Sequence, residues 1–306
     1  MKKCVHILDT NASIGEKLRR ALSPYEIDVH AYSDGTAFLD DYPGERELSN
    51  CIIIDANSSS FSGLAMLRRL RASNETNPIV IVTSTNHRNL RRVALRSGAT
   101  EVIEKPFLDR FLDVQLAGDT QSEETDFTAA SQPVSPVNED EITYRVIRPD
   151  DADLETSFVR NLSDSSRHFR FFSGAKTLPP QLLYDFTHPK YPESFAIIVV
   201  TNNGKREVQV GVGRYSRTKV PGVAEYAVVV ADDWQGKGIA SHLLHAVTFA
   251  ATIGGICTLE GVILRTNTKM LALARSLQYR FDETYDDVTV VRVVKELRGG
   301  IRNEDA

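Results

Sequence analysis

One stretch near the middle of the chain, residues 118–141, cannot contribute to a folded core. It carries acidic side chains but no Lys or Arg, contains two prolines, and has almost no large apolar side chains. Burying so little apolar surface cannot offset the conformational entropy that a segment loses when it becomes ordered. We therefore predict a flexible acidic linker over residues 118–142, which separates a first half (1–117) from a second half (143–298) and a tail (299–306).

The composition is that of a globular protein and excludes several classes of function. The chain has 306 residues, of which 42% are hydrophobic and 25% are charged, so it is long enough for about two ordinary domains. A net charge of −5 gives no general attraction to nucleic acid or to an anionic membrane, and no apolar run is long enough to span a bilayer. The start lacks the apolar stretch of a signal peptide, and three widely spaced cysteines form no disulfide or metal framework. We expect a cytoplasmic protein without nucleic-acid or membrane partners.

The first half alternates short apolar runs with amphipathic stretches. The apolar runs predict five strands, Cys4–Leu8, Asp28–Tyr32, Cys51–Ile54, Ile79–Val82 and Glu101–Glu104. The alternation predicts an α/β fold with a doubly wound, five-stranded parallel sheet and helices on both of its faces. Polar side chains fall at the carboxyl ends of four strands, where such sheets gather functional groups, namely Asp9, Asp55, Thr83 and Lys105. On spacing alone, these residues could also be simple strand-end caps.

The surroundings of these four residues resemble the receiver domain of response regulators. The segments that carry the resemblance are Val5–Asp9, Cys51–Asp55, Ile79–Ser84 and Glu104–Phe107, with Ser62-Gly63 and Gly98-Ala99 in fitting positions. The resemblance implies that Asp55 accepts a phosphoryl group from a sensor kinase. It also implies that Thr83 and Lys105 sense the new oxyanion by a hydrogen bond and by charge. In that family a Mg²⁺ held by carboxylates neutralises the reacting phosphate.

The first half departs from the receiver pattern where phosphoryl transfer needs it most. A second acid normally follows the first, but here Asp9 is followed by Thr10, which removes one charged oxygen ligand. A Mg²⁺ site would then be weak and would depend on Asp9, Asp55 and Asn57. The aromatic switch position on the fifth strand is Val102. Two alternatives stay open: a degenerate receiver that docks on a partner or forms a homodimer, and a receiver that is phosphorylated.

In the second half, a strand-like run leads through two glycines into a helix. The strand is Glu225–Val230, the turn is Gln235–Gly238, and the helical pattern continues through Ser241–Val247. Glycine lets the backbone approach an anion closely, and the first N–H groups of a helix point at that anion. The pattern favours a pyrophosphate-binding loop, although two glycines alone are also compatible with a plain strand-to-helix turn. The dinucleotide fingerprint and the P-loop do not fit, because a third glycine and Gly-Lys-Ser/Thr are absent.

The ordered pattern Gln235-x-x-Gly238-x-Ala240 resembles motif A of the Gcn5-related N-acetyltransferases (GNAT). The segment Leu162–Ser173 resembles the Ser-x-x-Ser-Arg-x-x-Arg-Phe signature of bacterial Pat-type protein lysine acetyltransferases. The resemblance implies a GNAT α+β domain with a mixed, mostly antiparallel sheet. It also implies an enzyme that takes acetyl-CoA as cosubstrate, acetylates protein lysine, and is regulated by the receiver-like half.

The same resemblance assigns roles to individual residues. Glu225 matches the general base, which takes a proton from the attacking amine. The strand end, the loop and the start of the helix would hold acetyl-CoA through Val228, Val229, Val230, Gln235, Gly236, Lys237, Gly238, Ile239, Ala240 and Ser241. Asn267 would hydrogen-bond the CoA arm, although asparagine is also a common helix cap. The tyrosine that many relatives use as general acid is replaced by Ala274, so that acid is expected to be absent.

The residues leave two other functions open. The same chemistry could act on a small-molecule amine such as a polyamine, or the chain could be a non-catalytic regulatory protein that senses acetyl-CoA. His242 and His245 lie on the helix after the loop, but no third ligand is near them in sequence, so we do not expect a metal there.

Overall fold

The computed structural model describes two β-sheets. The described residues are 3–42, 50–84, 88–105, 108, 112, 142–172, 176–202, 206–282 and 287–298. One sheet has five strands and the other has seven. The predicted fold class is confirmed: α/β, with a parallel first sheet and a mixed, mostly antiparallel second sheet. Residues 118–141 of the predicted linker lie outside the described residues, so the domain boundaries stay a prediction.

The first sheet is entirely parallel, with the strand order β2-β1-β3-β4-β5. Its strands are β1 (Lys3–Leu8), β2 (Ile27–Tyr32), β3 (Asn50–Asp55), β4 (Ile79–Thr83) and β5 (Glu101–Glu104). The helices between them are α1 (Ala12–Leu22), α2 (Gly35–Asp41), α3 (Gly63–Ala72) and α4 (Arg88–Arg96). Side-chain oxygens of Asn11, Asp34 and Ser62 cap the first three helices. Every strand agrees with its predicted bounds to within one residue.

The second sheet has the strand order β11-β12-β10-β9-β8-β7-β6. Its strands are β6 (Thr143–Val146), β7 (Ser194–Asn202), β8 (Glu207–Arg217), β9 (Val223–Val230), β10 (Thr258–Leu264), β11 (Arg280–Asp282) and β12 (Val290–Glu296). The helices are α5 (Ala152–Asn161), α6 (Asp164–Phe171), α7 (Pro180–Thr187), α8 (Ile239–Ile253) and α9 (Thr268–Ser276). Neighbouring strands are antiparallel except β9 and β10. A parallel pair needs a crossover connection, and α8 provides it.

One apolar core runs through both halves of the chain. From Ala246 to Ile253, every residue of α8 is buried. A helix that is apolar on all sides needs cover on all sides. Strands β7, β8 and β9 cover one side of α8, and β5 of the first sheet packs against it as well. The first half is therefore packed directly on the helix that follows the glycine loop.

Polar contacts accompany this packing. The Lys3 ammonium donates to the carbonyl oxygen of Gly254 at 2.9 Å, and the Thr100 hydroxyl donates to that of Leu297 at 3.1 Å. Both contacts involve the amino ends of strands in the first sheet, the edge opposite to Asp55. No helix in the described part of the chain is long and apolar enough to cross a membrane.

Gly63 packs closely against the backbone of Asp55 and Ala56, which predicts that a larger residue does not fit there. A Cβ added there would overlap the carbonyl oxygen of Asp55 and lie 2.8 Å from the Cα of Ala56. Backbone atoms cannot move away cheaply, so we expect Gly63→Ala to lower the free energy of unfolding by about 1–3 kcal/mol. Urea denaturation measures this difference.

Gly35→Ala is the matched control, because its Cβ would meet only the flexible Cε of Met66, at 3.0 Å, and the Cβ of Phe61, at 3.8 Å. The control should unfold at nearly the same urea concentration as the wild type. Equal stability of Gly63→Ala and the wild type would show that the backbone at Asp55 is not packed as described.

Candidate active site

The glycine loop, residues 235–238, has the geometry of an anion-binding turn. Gly236 and Gly238 have φ angles of +78° and +84°, a left-handed conformation that favours glycine. A Cβ built on Gly236 would have no atom within 4 Å, and none of the described side chains caps α8. Helix α8 begins at Ile239, so its first N–H groups have no earlier turn to bond to and carry the positive end of the helix dipole. A pyrophosphate such as that of acetyl-CoA fits this opening.

Strand β9 loses its neighbour on one side just before the loop. Strand β10 pairs with β9 only from Val223 to Glu225, whereas β8 pairs with β9 from Ala224 to Val230. Within Val228–Val230, the peptide groups that point towards β10 therefore make no strand-to-strand hydrogen bonds with it. Unpaired N–H and C=O groups at an open strand edge can bind an extended ligand. This geometry supports the predicted role of Val228, Val229 and Val230 towards the pantetheine arm, which stays a prediction.

Glu225 lies where β9 and β10 begin to separate. Its side chain is exposed, and strand alternation places it on the same sheet face as Val229, which packs among the residues beneath α5. Helix α6 packs against β9 and carries Arg170. Burial and the neighbouring Arg214 lower the pKa of Arg170 to about 10, while Glu225 acts in the opposite direction. The structure thus holds an accessible carboxylate beside the open strand edge, as a general base requires.

A buried charged cluster lies on the same sheet face and was not predicted. Arg214 donates to one carboxylate oxygen of Glu155 at 2.6 Å, and Gln209 donates to the other at 2.6 Å. The Arg214 guanidinium also lies 3.7 Å from the ring centre of Phe186. Its Nε and Nη1 atoms have no hydrogen-bond partner among the described residues. No local pattern could reveal this cluster, because its members come from β8, α5 and α7.

Asp232 ties the glycine loop to α6. Its carboxylate accepts hydrogen bonds from the Ser163 N–H at 2.9 Å, the Ser163 hydroxyl at 2.7 Å and the Ser166 hydroxyl at 2.8 Å. The Gln235 amide donates to the Ser166 hydroxyl at 3.3 Å and to the carbonyl oxygen of Val230 at 3.2 Å. The two serines of the Ser-x-x-Ser segment therefore position the loop through Asp232, a residue that sequence analysis did not single out.

The other predicted loop residues have structural contacts of their own. The Asn267 side chain accepts from the Met270 N–H at 3.1 Å and caps α9, so its role towards CoA stays a prediction. The Lys237 ammonium lies 4.4 Å from the ring centre of Trp234. Ala274 is completely buried.

The carboxyl edge of the first sheet brings Asp9, Asp55, Thr83 and Lys105 together as predicted from sequence. The Lys105 ammonium lies 2.9 Å from Asp55 and 3.1 Å from Asp9, and the Thr83 hydroxyl donates to Asn57 at 2.9 Å. Burial acts to lower the pKa of Lys105, but the carboxylates of Asp55 and Asp9 raise that pKa above its ordinary value.

These side chains are a poor fit for Mg²⁺. Lys105 bridges the two carboxylates, and no group of three or more His, Cys, Asp or Glu side chains in the described ranges could hold a metal. Metal binding at Asp9, Asp55 and Asn57 and phosphorylation of Asp55 stay predictions.

The network around Asp232 generates a second prediction. Partial burial acts to raise the pKa of Asp232, but hydrogen bonds from Ser163 and Ser166 lower it below its ordinary value. A carboxylate with a lowered folded-state pKa stabilises the fold above its unfolded pKa, about 3.9, and this stability is lost as the pH falls through the folded pKa. We expect Asp232→Asn to cost about 1 kcal/mol at pH 7, because the site is exposed to solvent.

Chemical denaturation at a series of pH values measures the difference between Asp232→Asn and the wild type. The difference should shrink below about pH 4. The exposed neighbour Asp233 provides the control, since Asp233→Asn removes the same charge. A difference that stays constant down to pH 3 would show that the carboxylate charge is not what holds the loop.

Two family models match this chain. The response regulator receiver domain matches residues 5–116, and the acetyltransferase (GNAT) family matches residues 160–279. A curated acetyltransferase of Pseudomonas aeruginosa is 30% identical over 150 residues, which cover 49% of this chain and 81% of that relative. The transcriptional regulatory protein FixJ of Bradyrhizobium diazoefficiens is 30% identical over 113 residues, which cover 37% of this chain and 54% of FixJ. The chain thus spans about half the length of that second relative. Among solved structures, the GNAT domain of S. lividans PAT is 26% identical, covers 53% of this chain and 99% of that domain, and has a TM-score of 0.46.

Proposed function

This chain belongs to the GNAT acetyltransferase family and is an N-acetyltransferase with a receiver domain, and we propose that it acetylates protein lysine under control of that receiver. The observation that carries the proposal is the uncapped N-terminus of α8 behind the glycine loop, beside the open edge of β9. Acetyl-CoA supplies a thioester carbonyl that an uncharged amine can attack. The loop and the first turn of α8 would hold its pyrophosphate, and Val228–Val230 would hold its pantetheine arm.

Glu225 is the residue that we propose to activate the amine. A lysine amine is protonated at neutral pH and must lose a proton before its nitrogen can attack a carbonyl. The Glu225 carboxylate is exposed, so it can accept that proton and pass it to solvent. As the C–N bond forms, the C–S bond breaks and the sulfur leaves with its electron pair. A thiol pKa of about 8.5 allows the sulfur to leave as a thiolate without a side-chain acid, which the methyl group of Ala274 could not supply.

Exposed apolar side chains in the second half of the chain support a protein as the acceptor. Phe172 follows α6 and is 47% exposed, Tyr184 on α7 is 54% exposed, and Val220 between β8 and β9 is 59% exposed. Exposed aromatic side chains are enriched at surfaces that bind another protein. A segment of the acceptor that carries lysine would contact them.

A small amine that carries a negative group is the second candidate acceptor. Arg214 has two guanidinium nitrogens without partners in the described part of the chain, and it lies near enough to Arg170 to lower the pKa of that guanidinium. Two arginines on the sheet face of Glu225 favour an acceptor with a carboxylate beside its amine. A screen of free amino acids, polyamines and lysine peptides distinguishes this candidate from a protein acceptor.

The proposed partners follow from the two domains. A sensor kinase would act on Asp55 of the receiver domain, and a protein with a reactive lysine would be the acceptor. We also propose the domain limits 1–117, 118–142 and 143–298; the family matches cover residues 5–116 and 160–279.

Glu225→Gln generates a third prediction. We expect kcat to fall by about 100-fold or more, because general bases contribute roughly that factor, while KM for acetyl-CoA stays unchanged. The assay is transfer of radiolabelled acetyl groups to proteins of a lysate, with mass spectrometry to identify the modified lysines. Glu296→Gln, at the end of β12, is the control and should keep wild-type kcat. Undiminished labelling by Glu225→Gln would remove this glutamate from the mechanism.

A further inference from the structure

A carboxylate of the receiver domain is buried against the acetyltransferase domain. Glu101 on β5 is 0% exposed. Its carboxylate accepts from Arg91 on α4 at 2.5 Å and from Lys295 on β12 at 3.1 Å, and it lies 3.2 Å from Nδ1 of His245 on α8. Burial acts to raise the pKa of Glu101, but Lys295, His245 and Arg91 hold it well below its usual range. The members of this set come from both domains, and removing one of them would leave the remaining charges buried and uncompensated.

His245 connects this cluster to the first turn of α8. Its Nδ1 lies 2.8 Å from Nη2 of Arg91, and its Nε2 lies 3.3 Å from the hydroxyl oxygen of Ser241. Ser241 stands four residues earlier on the same face of the helix. It belongs to the turn whose N–H groups would face the pyrophosphate.

The position of Arg91 decides which ring nitrogen of His245 carries the proton. Burial lowers the pKa of His245, with Arg91 and Lys295 acting in the same direction and Glu101 opposing them. The ring is therefore neutral at pH 7 and carries one proton. Arginine can only donate hydrogen bonds, so the contact from Arg91 needs a lone pair on Nδ1. The ring proton is then on Nε2, from where it is donated to Ser241.

The opposite tautomer would reverse the role of Ser241. With the proton on Nδ1, the ring would donate to Glu101, and the N–H of Arg91 would face an N–H of the ring. Nε2 would then accept the hydroxyl proton of Ser241. Only lone pairs of the serine would remain for a bound phosphate, which itself offers only acceptors.

We propose that Arg91 of the receiver domain fixes the tautomer of His245 and thereby keeps the Ser241 hydroxyl available as a donor to the acetyl-CoA pyrophosphate. Arg91 is a positioning residue, because it acts on the site only through His245. The inference rests on the proposed binding of acetyl-CoA by the glycine loop. It gives the receiver domain a part in substrate binding that needs no phosphorylation of Asp55.

Calorimetric titration of the full chain with acetyl-CoA, together with KM and kcat, tests the proposal. In Arg91→Met, the Kd and KM for acetyl-CoA should rise about tenfold, as for the loss of one hydrogen bond to a charged group, with kcat nearly unchanged. Arg92→Met is the matched control, because Arg92 is the exposed next residue of α4. Ser241→Ala should weaken binding to a similar degree, and adding Arg91→Met to it should weaken binding no further. Wild-type affinity in Arg91→Met, or losses that multiply in the double variant, would overturn the proposal.

Nitrogen-15 spectra of the histidine rings provide a readout that needs neither turnover nor a variant of Arg91. In the wild-type chain, the signal that disappears in His245→Gln should show a protonated Nε2 and an unprotonated Nδ1. A protonated Nδ1 in the wild type would overturn the proposal. Wild-type protein that fails to bind acetyl-CoA would instead refute the proposed function, whereas wild-type binding with an unaffected Arg91→Met refutes this inference alone.

Discussion

Burial of α8 on every side is the constraint on which the rest of the structure depends. All residues from Ala246 to Ile253 are buried, and the second sheet covers only one side of them. The receiver domain adds cover through β5, and the two domains share a core. The N-terminus of the same helix has no side-chain cap among the described residues, so its first N–H groups can bind an anion. One helix therefore joins the candidate active site to the receiver domain.

Two sets of charges lie at opposite edges of the receiver sheet. Within the described ranges, one set contacts only residues of the receiver domain, and the other contacts the acetyltransferase domain. At the carboxyl edge, Lys105 bridges Asp9 and Asp55, next to solvent and away from the acetyltransferase domain. At the amino edge, Glu101 is buried against His245 of α8. A signal that begins at Asp55 has to cross the sheet to reach the second set. The contact at Glu101 is present without any such signal.

Local patterns predicted the fold and the position of the loop, because hydrophobic period and glycine act within a single element. The strands of the first sheet and the left-handed turn at Gly236 and Gly238 follow from such signals. Contacts between distant segments could not be predicted in this way. Asp232 and His245 gain their partners only when α6 and β5 pack beside the loop helix. One sequence signal does indicate this packing: the run from Ala246 to Ile253 has no charged side chain and only two threonines among apolar residues, which predicts that a second layer covers it.

Amide hydrogen exchange of the full chain, with and without acetyl-CoA, tests the central claim most directly. The claim is that the open turn at the start of α8 and the unpaired edge of β9 together bind acetyl-CoA. The account predicts slower exchange at the amides of residues 236–240, 228 and 230 in the complex, because bound ligand atoms accept hydrogen bonds from them. Unchanged exchange in both segments, at acetyl-CoA concentrations where calorimetry shows the site to be full, would contradict the account.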